Sequence, residues 1–200
     1  MIHRSFIGSV SLLAALLVHA QPPDAGPNRT DAQGRKQGAW SKTWESGQVR
    51  YQGQFKDGHP VGTFKHYDEE GHLTTIQRHA GDGHVSRAEH YHPNGTLMAT
   101  GKYVDQLKDS TWSYYDEAGG LRKLEHFRLG KLHGEVISYY AGGQAAEKDT
   151  FQDGLLNGES LSWFPNGIPK STAIYVGGAS QGKMVFYFPS GKKEIEGQMV

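Results

Sequence analysis

Cysteine is absent from all 200 positions, so no disulfide framework, thiolate metal site or cysteine nucleophile is available. An excess of charge is absent too. The 21 basic and 21 acidic side chains cancel to zero, and the basic footprint of a general nucleic-acid binder is missing. Long apolar runs are scarce: Leu, Ile, Val and Phe together number 39, and nine of these fall in the first 20 residues. With a high net charge, a remainder so poor in aliphatic side chains would read as disorder. With zero net charge, 10 Tyr, 4 Trp and 27 Gly, it reads as turn-rich β structure held by aromatic packing.

The one apolar run is an address. His3 and Arg4 precede Phe6 to Val18, and Val18-His19-Ala20 puts small residues at a cleavage position. This is the layout of a secretory signal peptide over 1–20, with cleavage after Ala20 and a periplasmic or secreted product. The run is shorter than the ~20 residues of a spanning helix, and no cysteine follows it to carry a lipoprotein anchor. Residues 21–33 hold three prolines without apolar periodicity and read as a flexible leader. Asn28-Arg29-Thr30 and Asn94-Gly95-Thr96 fit the glycosylation acceptor pattern, which has meaning only in a eukaryotic secretory pathway.

From residue 34 to 200 the chain repeats with a period of 24. Gly47, Gly71, Gly95, Gly119, Gly143, Gly167 and Gly191 stand in register without insertion or deletion. Nine positions earlier runs the column Gly38, Gly62, Ser86, Ser110, Gly134, Gly158, Gly182. An aromatic column, Tyr67, Tyr91, Tyr115, Tyr139, Trp163 and Tyr187, opens on Thr43. A second runs Phe55, His79, Tyr103, Phe127, Phe151, Tyr175, Met199. Pairs such as Asn94-Gly95 and Asn166-Gly167 favour the positive φ of tight turns. Phe55-Lys56-Asp57-Gly58 marks a second turn in each unit, and short runs rich in Tyr, Trp, Thr and Val lie between turns. Each of about seven units is therefore two strands and two turns. The predicted fold is all-β: tandem hairpins side by side in one elongated, twisted, antiparallel single-layer sheet. About 14 strands at roughly 4.8 Å make a ribbon some 65 Å long. A lone hairpin cannot hide its apolar face, so neighbouring repeats must supply the burial. The columns containing Trp40, Tyr67, Tyr91, Trp112, Tyr115, Tyr139, Trp163 and Tyr187 are the expected structural aromatics.

The run Gly38-Ala39-Trp40 to Gly47, with relaxed forms at Gly62 to Gly71 and Ser110 to Gly119 and the aromatic-x-Asp-Gly turn downstream, resembles the MORN-repeat variant. Chains of this kind include the YwqK-type antitoxin family. The resemblance covers about residues 34–200. It implies a hairpin-repeat sheet that binds or scaffolds other proteins, sometimes at lipid surfaces, without catalytic residues. The antitoxin label implies a neutralised partner protein; the export signal departs from a cytosolic antitoxin.

Seven of the 11 histidines lie between His59 and His92. His90 and His92 alternate and so should share a strand face. Imidazoles this dense can bind metal or titrate near neutrality, but their spacing matches no zinc motif. His66 and His90, one strand apart, would stand roughly 10 Å from each other. The expectation is polar surface and no metal or cofactor. The repeat also degrades here: His79 replaces an aromatic, Ser86 a glycine, and Ala88 the Trp40 and Trp112 type. No nucleophile elbow or phosphate loop is present, and Asp57, Asp105 and Asp153 share a turn column, so no enzyme is expected. His66, His90, His92, Tyr114 and Phe186 are the candidate binding residues, the last two as exposed rings in a mostly polar column. The expected role is a protein-binding or scaffolding surface. The alternatives are an antitoxin or immunity-like protein, or a cell-wall glycan or membrane-surface module. Uncovered edge strands invite pairing, so residues 192–199 are a candidate homodimer edge.

Overall fold

The computed structural model describes residues 26–199. The expected signal peptide and the start of the leader lie outside them. Fifteen strands follow in order: β1 (Arg29–Thr30), β2 (Lys36–Thr43), β3 (Val49–Lys56), β4 (His59–Tyr67), β5 (Leu73–Ala80), β6 (Val85–Tyr91), β7 (Leu97–Val104) and β8 (Leu107–Tyr115). They continue as β9 (Leu121–Arg128), β10 (Lys131–Tyr139), β11 (Ala145–Gln152), β12 (Leu155–Trp163), β13 (Pro169–Val176), β14 (Ala179–Tyr187) and β15 (Lys193–Met199). They form one open sheet in sequence order. The described residues contain no helix. The tandem-hairpin sheet expected from the period is the fold of the chain.

Local chemistry sets this order. The invariant glycines of the first turn all take φ between 80 and 90°, a left-handed backbone that a Cβ would oppose. Each donates its N–H back across the turn, as Gly47 does to the Trp44 carbonyl at 3.0 Å. The other glycine column marks a β-bulge. Gly38, Gly62, Ser110, Gly134, Gly158 and Gly182 are left-handed, and the pairs β3–β4, β7–β8, β9–β10, β11–β12 and β13–β14 shift register beside their bulge positions. One extra residue on one strand is absorbed there.

The β5–β6 hairpin differs. Its six cross-strand pairs run from Thr75↔His90 to Ala80↔Val85 without a shift, and Ser86 is not left-handed. Serine is not the cause, because Ser110 takes φ 61° at the same column. The loop is: Gly81 and Gly83 give two left-handed positions (φ 54° and 85°), so a longer turn closes the hairpin in register. Ser86 is buried and accepts a hydrogen bond from Gln77 Nε2 at 2.8 Å.

The sheet begins at Arg29, five residues before the period that starts at residue 34. Arg29 stands 24 before Gly53, and Gly34 stands 24 before Gly58, so β1 is the second strand of a partial unit. Trp40 Nε1 donates to the Arg29 carbonyl at 3.1 Å. Asp31 Oδ1 accepts from the backbone N–H of Gln33 and Arg35 at 3.0 and 2.9 Å. Against the cost of desolvation, these bonds and those from the Arg35 and Gln37 side chains hold the Asp31 carboxyl down to about 2.

One face carries the core. Phe64 lies on Gly53 and Trp112 on Gly101, so close that a methyl group on either glycine would enter the ring. The same two columns continue as Ala88 with Gln77, Val136 with Glu125 and Met184 with Ala173, a larger group meeting a smaller one, and as Ser160 with Asp149, where neither is bulky. Rings run Trp40–Phe55–Phe64–His79 at centroid spacings of 5.8, 5.2 and 5.3 Å. The series breaks at Ala88 and resumes with Tyr103–Trp112 at 4.9 Å. Trp112 is 1% exposed, the largest fully buried side chain. The aromatic stack thus belongs to the Trp40 and Phe55 columns. No two rings of the column Tyr67, Tyr91, Tyr115, Tyr139, Trp163 and Tyr187 come together among the described residues. That column sits beside the second register shift of each unit, between His66 and Tyr67 in β4 for example, and three of its members, Tyr67, Tyr115 and Trp163, offer their backbone carbonyls to the preceding turn instead.

Candidate functional site

The missing bulge has a consequence in the packing. The β5–β6 loop leans onto β4, where a Cβ on Gly83 would stand 2.8 Å from the Pro60 carbonyl. Beneath it lies a cavity of about 510 Å³. Phe55 and Phe64 form its apolar side, Gln77, His79 and Ser86 a wall, and His59, His84 and Asp105 the rim. That volume is within the usual range for ligand pockets. Four of the clustered histidines, His59, His66, His79 and His84, line this one space.

Their environments differ. His59 and His84 face each other across 6.2 Å between ring centroids. His84 is hydrogen-bonded to the Asp105 carboxylate. That bond, with the charges of Asp82 and Asp105, raises its pKa above the ordinary imidazole value. Burial lowers the pKa of His79, whose Nδ1 is buried without a partner. His66 is lowered by burial and then by the positive charges of His79 and Arg50. His90 is lowered by burial, Lys108 and His66; it stacks on Trp112 at 5.8 Å and shares a 3.0 Å hydrogen bond with Thr75.

A second groove of about 370 Å³ runs on from the cavity, sharing His66 and Gln77 and adding Trp44, Arg50, Thr75 and His90. Arg50 stacks on the Trp44 ring at 4.5 Å.

Four of the five candidate binding residues lie in one cross-strand row. The pairing runs His66–Thr75–His90–Ala99–Tyr114 and onward through Lys123, Ser138, Glu147, Ser162 and Ser171 to Phe186. His66 and His90 line the groove. Phe186 is 38% exposed, far along the sheet. Tyr114 is not an open ring. It packs against Trp112, accepts from Lys108 Nζ at 2.7 Å and donates to Glu125 Oε2 at 2.5 Å. Burial and that carboxylate push its pKa well above the phenol value. His92 is separated from His90 by a register shift, which breaks the expected alternation. Its Nε2 donates to the Tyr115 carbonyl at 3.0 Å. Trp44 and Tyr140 donate likewise to the carbonyls of Tyr67 and Trp163, so alternate turns clasp the next unit.

Trp44 and Arg50 are not among the candidate residues that the sequence offers. Trp44, His92 and Tyr140 recur at 48 residues, a signal for the clasp. Nothing in the column of Arg50 marks it.

A triad of metal-type ligands, Asp68, Glu70 and His72, has its ligand atoms within 4.8 Å of one another. It lies on an exposed turn where His72 donates its backbone N–H to Asp68 at 2.7 Å, and turn geometry accounts for it. Among the described residues the cavity histidines form no such group. What the site offers is an apolar slot edged by titratable donors and by the Arg50 guanidinium, which has no ion pair among the described residues.

Residues 132–153, the β10–β11 hairpin, match the MORN repeat variant. No curated protein matches the chain.

Proposed function

We propose that this chain, whose β10–β11 hairpin matches the MORN repeat variant, is an exported, non-catalytic surface that binds another protein, and that the partner seats on the histidine cavity and groove. One observation carries the reading. The β5–β6 unit, which lacks the bulge, is also where the repeat columns depart to His79, Ser86 and Ala88 and a cavity opens.

The test is capture on the immobilised full chain and on a His59→Trp, His84→Trp variant that fills the rim, from envelope and secreted fractions. The expected result is one protein held at near-equal stoichiometry by the wild type and lost by the variant. Equal retention by both would refute the cavity as the seat. A captured protein that is toxic alone would make the chain antitoxin-like; recovery of wall fragments or vesicles alone would transfer the role to glycan or membrane binding.

A second copy is a further partner. The outer edge of β15 has no strand beside it among the described residues, and Ile195, 60% exposed, pairs there with Phe186. A monomeric mass by light scattering at high concentration removes this reading.

A further inference from the structure

The arginine in the groove lacks the counter-ion its repeat equivalent has. Arg122 stands 72 residues after Arg50 in the same column, and its Nε meets Asp116 Oδ2 at 2.6 Å. Asp116 is the turn residue of that unit; the turn residue 72 earlier is Trp44. An indole therefore occupies the position that supplies Arg122 with a carboxylate, and Arg50 stacks on it at 4.5 Å. Arg50 makes no ion pair among the described residues. The groove contains no carboxylate at all: its ionisable residues are Arg50, His66, His90 and Tyr67, with Trp44, Thr75 and Gln77 between them.

Groups facing this cluster from the packed strands do not neutralise it. From β3 come Arg50 and Tyr51, whose ring is 5.9 Å from His66. From β5 come Thr75, Gln77 and His79; from β6, His90; from β7, Tyr103. From β8 come Lys108 and Tyr114, and Lys108 is engaged with Tyr114. The acids beside the groove residues are committed elsewhere, Asp68 to His72 and Glu89 to Arg78 and Tyr91, and so are Glu125, to Tyr114 and Lys123, and Asp105, to His84.

We infer that the groove formed by Trp44, Arg50, His66 and His90 is a carboxylate-binding site that takes an acidic side chain of the partner protein. This rests on the protein-binding reading above. A carboxylate here completes the ion pair that Arg122 already has. It accepts charge-assisted hydrogen bonds from the guanidinium and, once protonated, from the imidazoles. The free protein holds His66 and His90 neutral at neutral pH, so binding draws protons in. Affinity then rises as pH falls, by at most about tenfold per pH unit for each proton taken up.

The experiment is calorimetry of the full chain with an end-blocked tetraglutamate peptide between pH 6 and pH 8, in buffers of different ionisation enthalpy. Tetraglutamine and inorganic phosphate are the comparison ligands. The expected result is stoichiometric tetraglutamate binding with proton uptake, tighter at the acid end, and no tetraglutamine binding. Arg50→Gln, an exposed position, should weaken binding about tenfold or more. Lys170→Gln, the same column five units later, should leave it unchanged. His66→Gln with His90→Gln should abolish the proton uptake. Absence of tetraglutamate binding across the range, or binding indifferent to Arg50→Gln, overturns the proposal. Phosphate binding that needs Arg50 while tetraglutamate does not bind also overturns it, and points to a small free anion. The partner capture above is read separately: a captured protein lost on filling the cavity, together with a failed tetraglutamate titration, rejects the carboxylate and keeps the protein surface.

Discussion

Gly101→Ala and Gly197→Ala make the same change in one column of the repeat, and the structure requires opposite results. Neither glycine is left-handed, so the backbone accepts alanine at both. At Gly101 the added methyl would enter the Trp112 ring. That ring cannot retreat: its Nε1 donates to the Lys102 carbonyl at 3.1 Å, Tyr103 meets it edge-on at 4.9 Å, and His90 stacks on it. Overpacking of this kind costs about 1–3 kcal/mol. At Gly197 nothing lies within 4 Å of the new methyl, and loss of unfolded-chain freedom stabilises by about 0.4–1 kcal/mol. The two variants should therefore differ by about 2 kcal/mol. Urea titration followed by circular dichroism reads the difference. Hydrogen exchange localises it to β7 and β8, because a stacked array opens in sections. Trp112→Val is itself costly, about 3 kcal/mol, but in that background Gly101→Ala should lose its penalty, a coupling of about 1 kcal/mol or more. The pair of Val136 with Glu125 already shows a small residue facing a large one in these columns. Gly101→Ala tolerated as well as Gly197→Ala, with Trp112 intact, would refute the ring-on-glycine account.

His79→Phe restores the aromatic of its column and removes the buried, unpartnered Nδ1; it should stabilise by about 1 kcal/mol in the same titration. His66, His79 and His90 all have pKa values lowered on folding, chiefly by burial. Their full contribution is present above the ordinary imidazole value near 6.5 and is lost as pH falls through it, because the unfolded chain takes up protons first. The melting temperature should drop between pH 7 and pH 5, less so in His79→Phe, while the exposed His84, raised by Asp105, works weakly in the opposite direction. Tyr140→Phe removes the 2.8 Å bond to the Trp163 carbonyl and should cost about 0.5–1.5 kcal/mol without loss of fold, since Phe164 and Phe188 stand in that column; a larger loss by urea titration would mean the clasp does more than one hydrogen bond.

Much of the fold was legible because its turns are local. Gly47 and its six equivalents report a left-handed backbone at one position, and that requirement needs no knowledge of distant residues. The start of the array was less legible. Arg29 and Gly34 are in phase with the repeat, but Pro22, Pro23 and Pro27 just before them carry the composition of a leader, and Trp40 bonding the Arg29 carbonyl is a contact across the sheet. The candidate site was half legible. The histidine cluster and the failing columns at His79, Ser86 and Ala88 marked the right unit. Tyr114 looked open because its column is mostly polar, whereas Trp112 and Glu125 cover and engage it.

The sequence by itself determined the period, the two strands and two turns of each unit, and their arrangement as neighbouring hairpins in one sheet, since these follow from backbone preferences a few residues long. Tertiary structure alone decided which columns bury their rings, that β5 and β6 pair without a bulge, and that Arg50 faces an indole where Arg122 faces a carboxylate. The physical reason lies in the bulges. Each inserts one residue into the alternation of faces, so side-chain direction cannot be counted from one strand into the next, and His90 and His92, two residues apart, do different work.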